Sequence, residues 1–144
     1  MTCIAWDGVT LAADKRVTLQ GLARTVTKIF RVGDVLVGIS GNGAEGMDMV
    51  EWVRGGCKPD DFPAMQRDKE AWAATAVFSD AGILLYECTP QPLRIEDKYF
   101  AMGSGSDYAL AAMHCGRSAY DAVVVACHFD VNCGNGYDTL DLDQ

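Results

Sequence analysis

No purely apolar run in this chain is longer than six residues, and residues 122–127 form one of them. A bilayer-spanning helix needs ~20 such residues in succession, so the core has to be assembled from many short elements. The 144 residues favour one domain, residues 1–144, because single domains commonly run to ~100–200 residues. A chain of this size buries about two-thirds of its unfolded surface and needs no covalent or metal staple. Apolar residues make up 49% and charged residues 22%, which argues against disorder and coiled coil.

Charge narrows the partners. Twelve Lys and Arg against twenty Asp and Glu leave a net charge of −8. Such a surface repels phosphate backbones and anionic lipids, so neither nucleic acid nor membrane is an expected partner. Residues 1–7 place no basic region ahead of an apolar stretch, so a cytoplasmic protein without a secretory signal is expected. The six cysteines form no C-x-x-C pair and are read as reduced thiols. His114-Cys115 and Cys127-His128 lack zinc-ligand spacing and lie in apolar helical patterns, where cysteine serves as a small core residue.

The short elements fall into order. Residues 3–6 end at Asp7-Gly8, a hairpin signal, and residues 10–13 return antiparallel. A third strand is expected over 25–31, followed after Gly33-Asp34 by a buried strand over 35–39. Helices are expected over 44–54, ended by Gly55-Gly56, and over 63–74, opened by Pro63. Strands at 75–79, 83–87 and 98–102 lead into Gly103-Ser104-Gly105. A third helix opens near Ser106 as N-cap and stops before Gly116. A fourth is capped by Ser118, with Asp121 three residues on, and fades at Phe129. A loop over 132–136 precedes a last strand over 137–140. Helices segregated from mostly antiparallel strands indicate an α+β layered fold.

Candidate chemistry starts at Thr2. Methionine is normally removed ahead of a small residue, and removal would leave a threonine with a hydroxyl and a free α-amine. That amine titrates near ~7.7–8.0, so nucleophile and base come from one residue. Met-Thr alone is also an ordinary start. Asp14 and Lys28 lie among apolar strand residues, where a buried ammonium needs a carboxylate; an exposed edge-strand lysine is the bland alternative. Gly41-Asn42-Gly43 and Gly103-Ser104-Gly105 each join a strand to a helix, either presenting N–H groups to an anion or serving as plain connectors.

Taken together these residues resemble the proteasome β-type family of N-terminal-nucleophile hydrolases. The resemblance is carried in order by Thr2-Cys3-Ile4-Ala5, by Ala13-Asp14-Lys15-Arg16-Val17-Thr18, by Thr27-Lys28 and by Ile39-Ser40-Gly41. Gly103-Ser104-Gly105 and Asp130-x-x-Cys133-Gly134 complete the set, and residues 129–138 look like the short proteobacterial homologues. The resemblance implies a four-layer αββα sandwich and homo-oligomeric stacked rings enclosing a proteolytic chamber. It implies peptide or unfolded-protein substrates and no required cofactor. An unfoldase partner is left open by the reduced middle helices.

Residue by residue, the resemblance makes Thr2 the nucleophile, exposed by removal of Met1 alone. Asp14 holds Lys28, whose ammonium lowers the hydroxyl and amine pKa values. The Gly41 N–H forms the oxyanion hole, while Ser104 and Asp130 hold the α-amine and a water network. Cys133 stands where the family usually has a second serine, and is a weaker hydrogen-bond partner. Thr18, Gly41, Gly43, Val26, Phe30, Ile39 and Met47 are the expected substrate-binding residues. Val26, Phe30, Ile39 and Met47 carry no charge, so an apolar side chain is expected before the cleaved bond.

Two other readings stay open at this level. Asp130, Asn132, Asp138 and Asp141 occupy oxygen-ligand positions of an EF-hand-like loop. That template fails at its sixth position, Asn135, and at its twelfth, Asp141, where glycine and glutamate are required. A structural cation near the 130–138 loop is compatible with the peptidase. The second reading is an inactive ring-forming scaffold of the same fold.

Overall fold

The computed structural model describes residues 1–64 and 73–144. In chain order the strands and helices are β1 (Ile4–Trp6), β2 (Thr10–Asp14), β3 (Arg16–Leu19), β4 (Leu22–Thr25), β5 (Ile29–Val32), β6 (Val35–Ser40) and α1 (Gly43–Arg54). There follow β7 (Ala74–Ser79), β8 (Gly82–Tyr86), β9 (Leu93–Ile95), β10 (Phe100–Met102), α2 (Ser106–His114), α3 (Ala119–Phe129) and β11 (Tyr137–Asp141). They divide into two compact units, Met1–Ile29 with Asp97–Gln144, and Phe30–Glu96.

The first unit is a four-stranded sheet of order β10-β1-β2-β11 carrying α2 and α3. All three pairings are antiparallel, with Ala5 opposite both Ala12 and Ala101, and Tyr137 opposite Asp14. The β1–β2 turn forms as expected: Asp7 Oδ1 accepts from the Val9 and Thr10 amides at 3.0 and 2.8 Å, and Gly8 supplies a φ of 100°. Small residues fill the helix–sheet interface: Cys3, Ala5, Ala12, Ala109, Ala122 and Ala126 are all buried there. Ser118 caps α3 by accepting from the Asp121 amide at 3.1 Å. Ser106 is not the N-cap of α2 but its first residue; Gly105 takes the cap position. A Cβ at Gly105 would sit 2.8 Å from that of Cys3, so only glycine lets the helix start so close to β1.

Residues 25–31 do not form one strand. Chain through residue 25 closes a separate two-stranded hairpin, β3–β4, around Gln20 and Gly21, both at positive φ. Residues 26–28 then leave the extended ladder: the Val26 amide bonds the Lys15 carbonyl at 2.8 Å, and the Lys28 side chain turns inward to a carboxylate. Strand geometry resumes at Ile29.

The second unit is a five-stranded sheet of order β5-β6-β7-β8-β9, with α1 packed on β6 and β7. Its core joins Val37, Ile39 and Val77 of the sheet to Met49, Val50, Trp52 and Val53 of the helix. Trp52 meets Phe62 and Tyr86 edge-on, each at 5.0 Å, and donates its ring N–H to the Lys58 carbonyl at 2.8 Å. Asn42 caps α1 by accepting from the Glu45 amide at 3.1 Å, and Gly56, at φ 98°, turns the chain away after it. The helix expected over 63–74 falls mainly on residues 65–72, outside the described residues, while Ala74 already belongs to β7. Strand β9 was not foreseen, because its Leu-Arg-Ile at the sheet edge shows no buried alternation. Each unit thus packs helices on its main sheet, the first also carrying the β3–β4 hairpin, and among the described residues no helix is long and apolar enough to cross a membrane.

Candidate active site

Asp14 ends β2, fully buried. A carboxylate there is tolerable only if its oxygens are satisfied, and four donors meet them. Oδ1 accepts from the Cys3 amide at 3.0 Å and from the Lys28 ammonium at 2.7 Å. Oδ2 accepts from the Arg16 and Gly134 amides at 3.1 and 3.0 Å. Lys28, only 5% exposed, is therefore the buried paired lysine and not an edge-strand one. Its Nζ also donates to the Met1 carbonyl at 3.3 Å. The Thr2 hydroxyl donates to that same oxygen at 2.8 Å. Nucleophile candidate and cation converge on one atom.

Ser104 approaches Thr2 from the β10–α2 turn. The Thr2 amide donates to Ser104 Oγ at 3.2 Å, and the Ser104 hydroxyl donates to Asp130 Oδ2 at 2.6 Å. Glycines on either side make this reach feasible. Gly103 has φ 95° and lies against the Thr2 carbonyl where no Cβ fits, and the Gly105 amide donates to that carbonyl at 3.0 Å. The Cys133 thiol donates to Asp130 Oδ2 at 3.4 Å and stands 3.9 Å from Ser104 Oγ. Thr2, Asp14, Lys28, Ser104, Asp130 and Cys133 thus form one connected polar network.

The titration of its members discriminates among nucleophiles. Burial pushes the Cys3 thiol far above its ordinary value. The Cys133 thiol is held far up by its hydrogen bond with Cys127, by burial and by the Asp14 and Asp130 carboxylates. Neither is a thiolate near neutrality, so neither is an activated nucleophile. Asp130 moves the other way: the Ser104 hydroxyl first, then the Asn132 amide and the Cys133 thiol, hold its carboxyl below the usual range against partial desolvation. Because its folded pKa is depressed, Asp130 contributes stability above the ordinary carboxylate value and loses it as pH falls through the folded one. Ser104→Ala is expected to raise the Asp130 titration toward the ordinary value, as read by carbon-13 NMR of the carboxyl; an unmoved midpoint would remove Ser104 as the cause.

The substrate-binding candidates are more scattered. Thr18 is exposed on β3, and Val26 lies exposed just beyond β4. In the second unit Gly41, at φ 96°, and Gly43 are exposed at the start of α1, and Met47 is exposed one turn on. Ile39 instead packs into the second core, where its Cδ1 would lie 2.9 Å from a Cβ on Gly46, and Phe30 packs against the same core.

Arg16 has a positioning part that the sequence did not disclose. Its Nε donates to Asn135 Oδ1 at 2.9 Å and its NH1 nitrogen to the Val131 carbonyl at 2.8 Å, with the guanidinium laid over Gly134. Lys15 pairs with Asp138 at 2.6 Å. Together they pin the loop that brings the Gly134 amide to Asp14. The EF-hand-like reading fails on the same geometry: Asp138 and Asp141 lie in β11, bound to Lys15 and to the Thr10 hydroxyl. Among the described residues no cluster of three His, Cys, Asp or Glu side chains is placed to hold a metal.

Residues 3–62 match the family model described as proteasome subunit. No curated protein matches the chain. Solved structures do: the BPH of Thiobacillus denitrificans in complex with epoxomicin superposes with a TM-score of 0.71 at 21% identity, covering 98% of this chain and 97% of that one. The eukaryotic HslV of Trypanosoma brucei gives 0.72 at 22% identity, with 97% of each chain covered. The mixed α+β fold of this chain is therefore shared, over nearly its whole length, with these two structures.

Proposed function

We propose that this chain is a proteasome-type threonine peptidase subunit, with Thr2 as nucleophile once Met1 is removed. The observation that carries the reading is the convergence of the Thr2 hydroxyl and the Lys28 ammonium on the Met1 carbonyl. Removing Met1 frees the Thr2 nitrogen as an amine beside Ser104, and releases one donor of Lys28 next to the Thr2 hydroxyl.

In the proposed reaction the Thr2 hydroxyl attacks a peptide carbonyl while its proton passes to the α-amine, directly or through a water. The Lys28 ammonium favours the developing alkoxide and keeps the amine neutral at working pH. Asp14, its oxygens met by four donors, fixes Lys28. Ser104 and Asp130 orient the amine. Collapse expels the leaving amine and leaves an ester on Thr2, which water hydrolyses. The acidic chain would work in the cytoplasm as a homo-oligomeric ring on peptides or unfolded proteins. Substrate preference is expected to follow Val26, an exposed apolar side chain in the same unit as Thr2.

An inert scaffold is the second reading, and the intact Asp14–Lys28 pair speaks against it: a buried ion pair seldom outperforms apolar packing as a stabiliser, so its presence points to chemistry. A fluorogenic peptide assay on protein whose mass shows loss of Met1 decides between them. Turnover in the wild type and none in Thr2→Ala is expected. Equal rates in the two proteins would overturn the proposal.

A further inference from the structure

The hairpin that joins Asp14 to Lys28 is anchored from outside its own ladder. Strands β3 and β4 pair with each other and, among the described residues, with no further strand. The base of the hairpin is the directly opposed pair Arg16 and Thr25. Asp14 lies two residues before the one, and Lys28 three residues after the other. Whatever fixes that base therefore fixes how the carboxylate and the ammonium leave it.

Asn135 bridges the two residues of that pair. Its Oδ1 accepts from Arg16 Nε at 2.9 Å, and its Nδ2 donates to the Thr25 hydroxyl at 3.0 Å. Arg16 can only donate, so the amide oxygen has to face it and the amide nitrogen is left for Thr25. The residue before extends the grip: Gly134 donates its amide to Asp14 Oδ2 at 3.0 Å, and its carbonyl accepts from the Lys15 amide at 2.9 Å. Asn135 itself sits at φ 62°, between two glycines. A third glycine would take that conformation without strain. The backbone alone does not call for asparagine there, so its side chain has a use.

We propose that Asn135 is a positioning residue for the peptidase, clipping the base of the hairpin so that the Lys28 ammonium is held on Asp14 and beside Thr2. The inference rests on the peptidase reading and adds a residue to it. Asn135 touches no reacting atom and acts through the backbone on either side of the hairpin. Residues 26–28 have no ladder of their own. The Val26 amide bonds the Lys15 carbonyl at 2.8 Å, and the Lys15 ammonium donates to the Thr27 hydroxyl at 3.3 Å. Those contacts tie the stretch to Lys15 alone, whereas Asn135 ties both strands to the loop that carries Asp130 and Cys133. Without the clip the ammonium shifts against Thr2, and a misplacement of about 1 Å is enough to cost up to ~10²-fold in rate.

The test compares the Met1-free wild type with Asn135→Gly, Thr25→Val and Thr25→Ser, each as the assembled protein. Peptide turnover is measured, and Lys28 is followed by acetylation with acetic anhydride and peptide mapping, with exposed Lys98 as the internal standard. Lys28, buried and paired, should resist the reagent in the wild type. Asn135→Gly is expected to melt close to the wild type, because glycine accepts the positive φ. It should nonetheless fall about tenfold in kcat and acetylate Lys28 at least about tenfold faster relative to Lys98. Thr25→Val, which loses one arm of the clip, should move both readouts the same way by less, and Thr25→Ser, which keeps the hydroxyl, should move neither. An asparagine of structural value only would lower the melting point without singling out Lys28. A Lys28 as protected in Asn135→Gly as in the wild type, or freed there at an undiminished rate, would overturn the proposal. Should Asn135→Gly fail to fold, the same two outcomes in Thr25→Val decide. If the wild type shows no turnover the peptidase reading fails, and the acetylation of Lys28 by itself decides whether Asn135 holds it.

Discussion

Lys28→Ala is expected to abolish peptide hydrolysis, by roughly 10³-fold or more, while the protein still folds and assembles. Without the ammonium, the hydroxyl and amine of Thr2 both titrate higher, so the alkoxide is harder to form and the amine is protonated at working pH. Asp14 meanwhile loses one of four donors and keeps three, the amides of Cys3, Arg16 and Gly134. Breaking a buried pair costs ~3–5 kcal/mol, and the surviving donors place this case at the low end, a fall of roughly 5–10 °C in Tm. Lys28→Arg should not restore the rate. A planar fork cannot reproduce a compact ammonium that reaches Asp14 at 2.7 Å and the Met1 carbonyl at 3.3 Å. Size-exclusion and melting curves separate lost chemistry from lost structure, and wild-type turnover in Lys28→Ala would end the assignment.

The parts of this site that could be read in the sequence are those where a residue type has few places to go. A carboxylate ending an apolar strand and a lysine in an apolar neighbourhood need one another, so Asp14 and Lys28 were legible as a pair. The glycines around Ser104 were legible as a turn, but their purpose was not: Gly103 faces the Thr2 carbonyl across more than a hundred residues of sequence. The β3–β4 hairpin was missed for a local reason. β4 is exposed throughout and β3 over its second half, so no alternation marks them, and the turn at Gln20-Gly21 puts a long side chain at a positive φ that usually signals Asn or Asp. Ser106 has the chemistry of a cap, yet Gly105 takes that position, where a Cβ would meet Cys3. Arg16 and Asn135 meet only because β3 and the 131–136 loop are brought together by the fold. Side-chain type told what needed a partner, and topology chose the partner.

An epoxyketone peptide is expected to bond twice to Thr2 and close a six-membered ring. The Thr2 hydroxyl adds to the ketone, and the α-amine of the same residue then opens the epoxide, which a serine or cysteine peptidase has no adjacent amine to do. The BPH of Thiobacillus denitrificans, which shares this fold, has been solved in complex with epoxomicin. Here the amine has to be made first, because with Met1 in place the Thr2 nitrogen is an amide that donates to Ser104 and the hydroxyl is tied to the Met1 carbonyl. Intact mass should therefore show loss of Met1 and then a gain of one whole inhibitor, with fragmentation placing the adduct on Thr2. Thr2→Ala should gain nothing. Thr2→Ser keeps both groups and should still form the ring, whereas Lys28→Ala should form it at least about tenfold more slowly, since the first addition needs the lowered hydroxyl pKa. A Met1-free, folded protein that leaves Thr2 unmodified would defeat the assignment of the nucleophile, because the reagent asks only for the two groups that this mechanism places on one residue.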